Sequence, residues 1–248
     1  ATNWTQEKGN RQRPNPVDQA IFEVDATYRY HLARTYFESI EEYDLNGPRF
    51  FEPQLAKSWI KDQDWTKALA RVTKERKDAS AASASGIFAE AKLDGFCLIA
   101  QASGLTSREG QPVTAVPHIQ SALARFFAEF PDARLHGELY NHDLRDDFET
   151  LAGILKDQSP SEEKKALVAT MELHLYDYPC PDVIKAGLGY RARRKMMFED
   201  MIGLVTSPSI IHHPFSEVVE NSLLELLHRE NVDAGYEGTM VKLDIPYE

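Results

Sequence analysis

The stretch Glu90-Ala91-Lys92-Leu93-Asp94-Gly95 decides how this chain is interpreted, because it places a lysine inside an apolar run. Residues 87–89 before it and 96–100 after it are apolar. This pattern predicts a strand, a tight Asp-Gly turn and a second strand. A lysine at such a turn is partly desolvated, which lowers the pKa of its amine and makes it a candidate nucleophile. Considered alone, a lysine beside Asp-Gly is more often an ordinary solvated turn residue.

Four further segments change that balance. In chain order they are Ser107-Arg108-Glu109-Gly110, Leu135-His136-Gly137-Glu138-Leu139, Leu173-His174-Leu175-Tyr176-Asp177-Tyr178 and Tyr236-Glu237-Gly238-Thr239-Met240-Val241-Lys242. Together with the Lys-x-Asp-Gly segment they resemble, in order and separation, the motifs of the covalent nucleotidyltransferases. That family contains ATP-dependent DNA ligases, RNA ligases and mRNA capping enzymes. The resemblance covers about residues 85–242 and is strongest to a phage-like ATP-dependent DNA ligase.

The resemblance implies an α+β fold, namely the nucleotidyltransferase (adenylation) domain of the ATP-grasp-like DNA ligase type, with two antiparallel sheets flanked by helices. Residues 1–50 are predicted to form an N-terminal helical lead-in. Residues 51–248 are predicted to form the adenylation domain, which is expected to stop before the family's last motif, Lys-x-Lys. The OB-fold domain that follows in the family is likewise expected to be absent from this chain.

The resemblance also implies the site. Lys92 is the expected catalytic residue, which attacks the α-phosphorus of ATP and holds AMP as a phosphoramidate. The residues expected to bind the nucleotide are Glu90, Ala91, Arg108, Glu138, Tyr176, Glu237 and Lys242. Two of them, Glu138 and Glu237, are also expected to bind Mg²⁺, the ion that suits triphosphate oxygens. Cationic neighbours, Lys242 and Mg²⁺, are expected to lower the pKa of the Lys92 amine.

Individual roles follow from the same resemblance. Tyr176 is expected to stack on adenine, and Glu90 to help read the adenine amino group in preference to guanine. Arg108 is expected to contact the ribose or a 5′-phosphate, because its planar fork suits phosphate. Two positions depart from the family pattern: Cys97 stands where DNA ligases usually have arginine, and His136 where aspartate is usual.

These expectations predict an enzyme that forms lysyl-AMP and seals nicks in double-stranded DNA, as in repair, replication or recombination. An RNA ligase or an mRNA capping guanylyltransferase is the alternative within the family. A catalytically silent nucleotide-binding or nucleic-acid-binding module is the alternative from another class. The expected state is a monomer that binds ATP and nicked duplex DNA and no membrane.

Composition sets limits on these alternatives. The chain has 248 residues, 39 acidic against 28 basic side chains, and a formal net charge of −11, which argues against simple duplex binding. Local basic clusters are still possible contact surfaces, notably residues 74–77 and 191–195. The two cysteines show no metal spacing and suit a reducing cytoplasm. The resemblance to phage-like DNA ligases implies a phage-encoded or bacterial protein.

Helical periodicity predicts a long amphipathic helix from Asn15-Pro16 to about Tyr43, with Asn15 as its cap. Further helices are predicted over 65–77, 118–130, 147–155, 190–202 and 217–230. His174, His212 and His213 have no metal-ligand partners at useful sequence spacing, so a structural role is predicted for them.

Overall fold

The computed structural model describes residues 15–32, 38–41, 51–54, 56–59, 64–75, 85–145, 153, 155 and 161–247. The chain divides into two compact units, Ala1–Glu52 and Pro53–Glu248. Within the described ranges, no helix has the length and apolar character needed to cross a bilayer.

In the first unit the described element is helix α1 (Pro16–Leu32). Its start is as predicted, because the Asn15 Oδ1 atom accepts a hydrogen bond from the Val17 N–H at 2.9 Å. The rest of the predicted long helix, up to about residue 43, falls largely outside the described residues. None of the residues of α1 is buried, and Val17 and Val24 are 64% and 68% exposed. The periodic apolar positions of this helix therefore do not form a core.

The second unit is α+β, as predicted. Its helices are α2 (Trp65–Glu75), α3 (Pro117–Glu129), α4 (Glu162–Val168), α5 (Pro181–Ala186), α6 (Tyr190–Met201) and α7 (Asn221–Asp233). Its strands are β1 (Ile87–Lys92), β2 (Phe96–Gln101), β3 (Gly104–Ser107), β4 (Leu135–Tyr140), β5 (Glu172–Asp177), β6 (Ile210–His212), β7 (Ser216–Glu217) and β8 (Gly238–Leu243).

The strands form two sheets. The small sheet has the order β7-β1-β8, and the large sheet has the order β3-β2-β4-β5-β6. All neighbours in the small sheet are antiparallel, but β5 and β6 run parallel in the large one. The two predicted sheets flanked by helices are present, but the predicted antiparallel pairing does not hold at this edge. Parallel neighbours require a crossover connection, and helices α5 and α6 lie in the chain between β5 and β6.

The predicted hairpin at Asp94-Gly95 is also wrong. Strand β1 pairs with β7 and β8, whereas β2 pairs with β3 and β4, so residues 93–95 connect the two sheets. Glycine is required at position 95 for close packing. A Cβ atom there would lie 2.5 Å from the Leu139 carbonyl oxygen and 2.7 Å from the Glu138 Cγ atom. The Asp-Gly pair thus marks a close approach between the connector and β4.

Each sheet has one apolar face covered by helices. On the large sheet the core includes Leu98, Leu135 and Leu175 and packs against side chains of α3 and α6, such as Leu123 and Met197. Full burial of one such side chain stabilises the fold by about 1.5–3 kcal/mol. On the small sheet Ile87, Ala89, Val241 and Leu243 pack with side chains of α2 and α7.

Most predicted helices of this unit agree with the structure to within two or three residues at each end, with one exception. The helix predicted from residue 217 begins at Asn221, because Glu217 belongs to β7 and pairs with Phe88. The helix predicted over 147–155 lies outside the described residues apart from Gly153 and Leu155. Helices α4 and α5 were not predicted.

Candidate active site

Lys92 is the last residue of β1, at the end of the small sheet. Its partner across the sheet is Gly238, and the Glu237 N–H donates to the Lys92 carbonyl at 3.1 Å. The Lys92 ammonium forms an ion pair with the Glu237 carboxylate. These side chains are 37% and 45% exposed, so the pair lies at a rim and contributes little stability. The role of this ion pair is to hold the Lys92 amine next to a carboxylate.

Alternation along the strands brings the other polar residues of the small sheet to the face that carries Lys92. Phe88, Glu90 and Lys92 share one face of β1, and the register places Met240 and Lys242 of β8 beside them. This is the face opposite to the apolar one that packs on α2 and α7. The small sheet therefore presents two lysines and a glutamate from a single surface.

Glu90 is buried on this face and is surrounded by donors. Its carboxylate accepts a hydrogen bond from the Tyr190 hydroxyl at 2.8 Å. The Lys242 ammonium lies 3.5 Å from one carboxylate oxygen and the Arg194 guanidinium 3.7 Å from the other. A buried carboxylate requires such partners. Tyr190 and Arg194 hold Glu90 in place, and no sequence motif indicated either of them.

The large sheet contributes the facing wall. Cys97, His136, Glu138 and Tyr176 project from β2, β4 and β5 on the face away from the helix-covered core. The Tyr176 hydroxyl lies 3.1 Å from the His136 Nε2 atom and donates to the Glu138 carboxylate at 3.4 Å. The Cys97 sulfur lies 3.4 Å from the same His136 nitrogen. The two residues that depart from the family pattern thus contact each other.

Gly137 makes this wall possible. A Cβ atom at position 137 would lie 2.6 Å from the backbone carbonyl oxygen of His174 on the neighbouring strand. Glycine therefore allows β4 and β5 to pair closely between the two polar side chains, His136 and Glu138.

Burial changes the protonation of this wall. It raises the pKa of Glu138 to about 8, although Tyr176, Lys92 and Lys242 act in the opposite direction. It lowers the pKa of His136 to about 3, and the nearby Lys242 charge lowers it further. It also raises the pKa of the Cys97 thiol to about 11. Around pH 7 His136 and Cys97 are uncharged, and Glu138 binds a proton for much of the time.

Lys242 connects the two sheets. Its ammonium lies 4.7 Å from the centre of the Tyr176 ring, a cation–π distance, and also pairs with Glu90. Arg108 occupies an exposed turn after β3, in which the Gly110 N–H donates to the Ser107 carbonyl at 2.9 Å.

One cavity of about 300 Å³ unites these groups. Its lining includes all eight residues predicted to form the site: Glu90, Ala91, Lys92, Arg108, Glu138, Tyr176, Glu237 and Lys242. An adjoining cavity of about 410 Å³ shares Lys92 and Lys242 and extends towards Lys57 and Arg71. The predicted residues thus come together from two sheets, while their individual roles stay predictions.

Two carboxylates of the cavity are candidate metal ligands. Glu138 and Glu237 line the same cavity, which fits the usual binding of Mg²⁺ through one or two carboxylates plus substrate phosphates. Within the described ranges, no cluster of three or more histidine, cysteine, aspartate or glutamate side chains could hold a metal without such help.

The basic cluster at residues 191–195 is largely not a contact surface. Arg193 and Arg194 are buried, at 3% and 6% exposure. Arg193 forms a bidentate pair with the buried Asp177 carboxylate at 2.6 and 2.9 Å, and it donates to the Leu188 and Ile245 carbonyls. The expectation of a basic patch is therefore wrong for these two arginines. Instead, they support the site through buried ion pairs, Arg193 with Asp177 and Arg194 with Glu90.

Comparison with solved structures shows which known fold this chain resembles. Neither a protein-family model nor a curated protein sequence matches the chain. A Lig E DNA ligase structure matches with a TM-score of 0.50 and 21% identity, over 66% of this chain and 57% of that one. The ATP-dependent DNA ligase of bacteriophage T7, in complex with ATP, matches with a TM-score of 0.51 and 17% identity, over 79% and 63%.

The chain spans less than two thirds of the length of either structure. At this level of identity the likeness concerns the fold. The matched regions cover 66% and 79% of this chain, and they include its two sheets flanked by helices. This chain has the fold of the nucleotidyltransferase domain of ATP-dependent DNA ligases.

Proposed function

We propose that this chain is the adenylation domain of an ATP-dependent polynucleotide ligase, and that Lys92 carries AMP. One observation supports this most strongly: the Lys92 amine lies on the wall of a cavity whose other walls supply Glu90, Glu138, Tyr176, Glu237 and Lys242. A nucleophile, carboxylates, an aromatic ring and a second cation converge there from separate strands. This set of groups suits nucleotidyl transfer.

In the proposed first step, the Lys92 nitrogen attacks the α-phosphorus of ATP. A phosphorus–nitrogen bond forms, and the bond to the bridging oxygen breaks, so that pyrophosphate leaves with the electron pair. The amine must lose a proton to react. The Lys92 side chain is 37% exposed, so the proton can pass to solvent, while the Glu237 carboxylate, which contacts the amine, holds it in position.

The purine is proposed to bind between the sheets. Tyr176 supplies an aromatic face, and the Lys242 ammonium, which lies over that ring, must move aside towards the phosphates. The Glu90 carboxylate can accept a hydrogen bond from the adenine amino group but would repel the guanine carbonyl oxygen at the same position. Adenine is therefore the preferred base in this proposal.

Mg²⁺ would neutralise phosphate charge, with Glu138 and Glu237 as its protein ligands. The high pKa of Glu138 bears on this directly, because a carboxyl group that binds a proton must release it before it binds a cation. Lys242, which already pairs with a carboxylate in the site, is the second cation available to the phosphates.

The nucleic-acid step is the finer part of the proposal. AMP on Lys92 would pass to the 5′-phosphate at a nick in duplex DNA, and the neighbouring 3′-hydroxyl would then displace AMP and seal the strand. Arg108 is exposed at the cavity and is proposed to contact the 5′-phosphate. Cys97 is uncharged and stands where DNA ligases usually have arginine, so the site has one positive charge fewer than expected for a DNA ligase. RNA ends are therefore a second substrate to be tested alongside DNA ends.

The proposal is tested by incubating the protein with ATP labelled at the α-phosphate and Mg²⁺, followed by a denaturing gel. We expect an adduct that acid and hydroxylamine cleave and that is absent from Lys92→Ala. The matched control is Lys195→Ala, because Lys195 is 74% exposed in an i,i+4 pair on α6 and should leave labelling unchanged.

Label that persists in Lys92→Ala would overturn the proposal. Labelled GTP in parallel distinguishes a ligase from a capping enzyme. A panel of nicked duplexes with DNA or RNA on each side of the nick then identifies the strand that is sealed.

A further inference from the structure

Two histidines with buried Nδ1 atoms meet in a second cavity, which shares Glu90, Ala91 and His213 with the cavity that contains Lys92. His174 lies on β5, and His213 follows β6. Their ring centroids are 5.7 Å apart, with planes inclined at 67°. Both line a cavity of about 370 Å³, whose other walls include Phe215 and Tyr236. Sequence spacing alone gave no reason to pair these residues.

The protons on these rings can be assigned from their partners. The His213 Nε2 atom lies 2.9 Å from the Ala91 carbonyl oxygen, which can only accept, so this nitrogen carries the hydrogen. The His174 Nε2 atom lies 3.1 Å from the Glu172 carboxylate and is assigned in the same way. The Nδ1 atom of each neutral ring therefore presents a lone pair.

Neither lone pair is satisfied within the described part of the chain. Both Nδ1 atoms are buried without a hydrogen-bond partner, and His213 as a whole is only 3% exposed. A buried polar atom left in this state is destabilising, because it has lost its hydrogen bonds to water without replacing them. Two such atoms, on adjacent rings that line one cavity, are available to a ligand that accepts electron pairs or donates hydrogens.

The surroundings match those of metal-bound histidines. Such rings usually donate their other N–H to a carboxylate or a backbone carbonyl, as His174 and His213 do. Metal–nitrogen distances are about 2.1 Å, so two imidazoles on one tetrahedral ion have ring centres roughly 5 Å apart. The observed separation of 5.7 Å is close to this value.

We propose that His174 and His213 form a binding site for a divalent transition-metal ion of the class that prefers imidazole, such as Zn²⁺, Ni²⁺ or Cu²⁺. No third histidine, cysteine, aspartate or glutamate completes the set in the described ranges, so water would fill the other positions. Burial lowers the pKa of both rings, which keeps them neutral and able to bind metal.

The experiment uses untagged protein stripped of metal and titrated with Zn²⁺ in a calorimeter. We expect one ion per chain, with affinity reduced at least tenfold in His174→Gln and in His213→Gln. The matched control is His228→Gln, because His228 is exposed on α7 and should leave the affinity unchanged. Zn²⁺ binding that is absent, or equally strong in all three variants, would overturn the proposal in favour of a bridging water.

A second measurement needs no variant and therefore survives any folding defect. Cu²⁺ with ascorbate and oxygen oxidises histidines that bind the copper, and peptide mass spectrometry locates the products. We expect oxidation of His174 and His213 in the wild-type protein and little at His228. Oxidation spread over the exposed histidines instead would contradict the site.

Discussion

Replacing Glu138 by glutamine should make the stability of this protein less dependent on pH. The structure raises the pKa of this carboxyl from its ordinary value of 4.5 to about 8. Between these two values the native state binds a proton that the unfolded chain has released. The wild-type protein therefore loses stability as pH rises through this window, by at most about 1.4 kcal/mol per pH unit. Below pH 4.5 and above pH 8 this contribution is constant.

The size of the effect depends on solvent screening. Glu138 is only partly buried and lies near two lysines, so we expect about half of the maximum slope. The free energy of unfolding of Glu138→Gln should then rise, relative to wild type, by roughly 2 kcal/mol from about pH 5 to about pH 8. Urea unfolding followed by tryptophan fluorescence at several pH values measures this difference.

Glu163→Gln is the control, because Glu163 is an exposed carboxylate on α4 and should give a difference that does not vary with pH. If the Glu138→Gln difference is equally flat, the carboxyl is not protonated in the native state. The argument that burial dominates over the nearby lysines would then fail.

Three other substitutions test separate parts of the structure. Asp177→Asn should lower the free energy of unfolding by about 3–5 kcal/mol, because it leaves the Arg193 charge buried and unpaired; urea unfolding measures this, and a loss below 1 kcal/mol would contradict it. Gly95→Ala should destabilise by roughly 1–3 kcal/mol and reduce labelling by ATP, because the new Cβ atom would meet the rigid Leu139 carbonyl; unchanged labelling would refute this. Lys242→Met should slow formation of the lysine adduct by about 10²-fold or more in a time course of labelling, and a change of less than threefold would count against its role.

The sequence motifs predicted the α+β fold correctly, and the site residues that they singled out line one cavity, although the roles of these residues stay predictions. Motif order singled out Lys92, Glu138 and Lys242, and all three line the same cavity. The same local pattern misassigned Asp94-Gly95 as a hairpin, because a two-residue turn and a crossing between sheets have the same local composition. The choice depends on which strands pair with β1, and that information lies more than a hundred residues away, in β7 and β8.

Side chains that support the site were missed for a related reason. Arg193 and Arg194 lie in a run of charges that is typical of an exposed helix, yet both are buried against Asp177 and Glu90. Their partners come from other strands, so composition could not reveal them. The pairing of His174 with His213 is equally invisible in sequence, because it depends on the parallel alignment of β5 and β6.

The three-residue link between the sheets has a mechanical consequence. Lys92 ends β1 of the small sheet and Glu237 directly precedes β8 of the same sheet, whereas Glu138 and Tyr176 belong to the large one. If the two layers hinge about residues 93–95, the amine and its carboxylate partner travel together, while their separation from the aromatic wall changes. Under such a motion the distance from the Lys92 amine to Tyr176 would depend on the angle between the two sheets, and a molecule bound between them would change that distance without contacting Lys92.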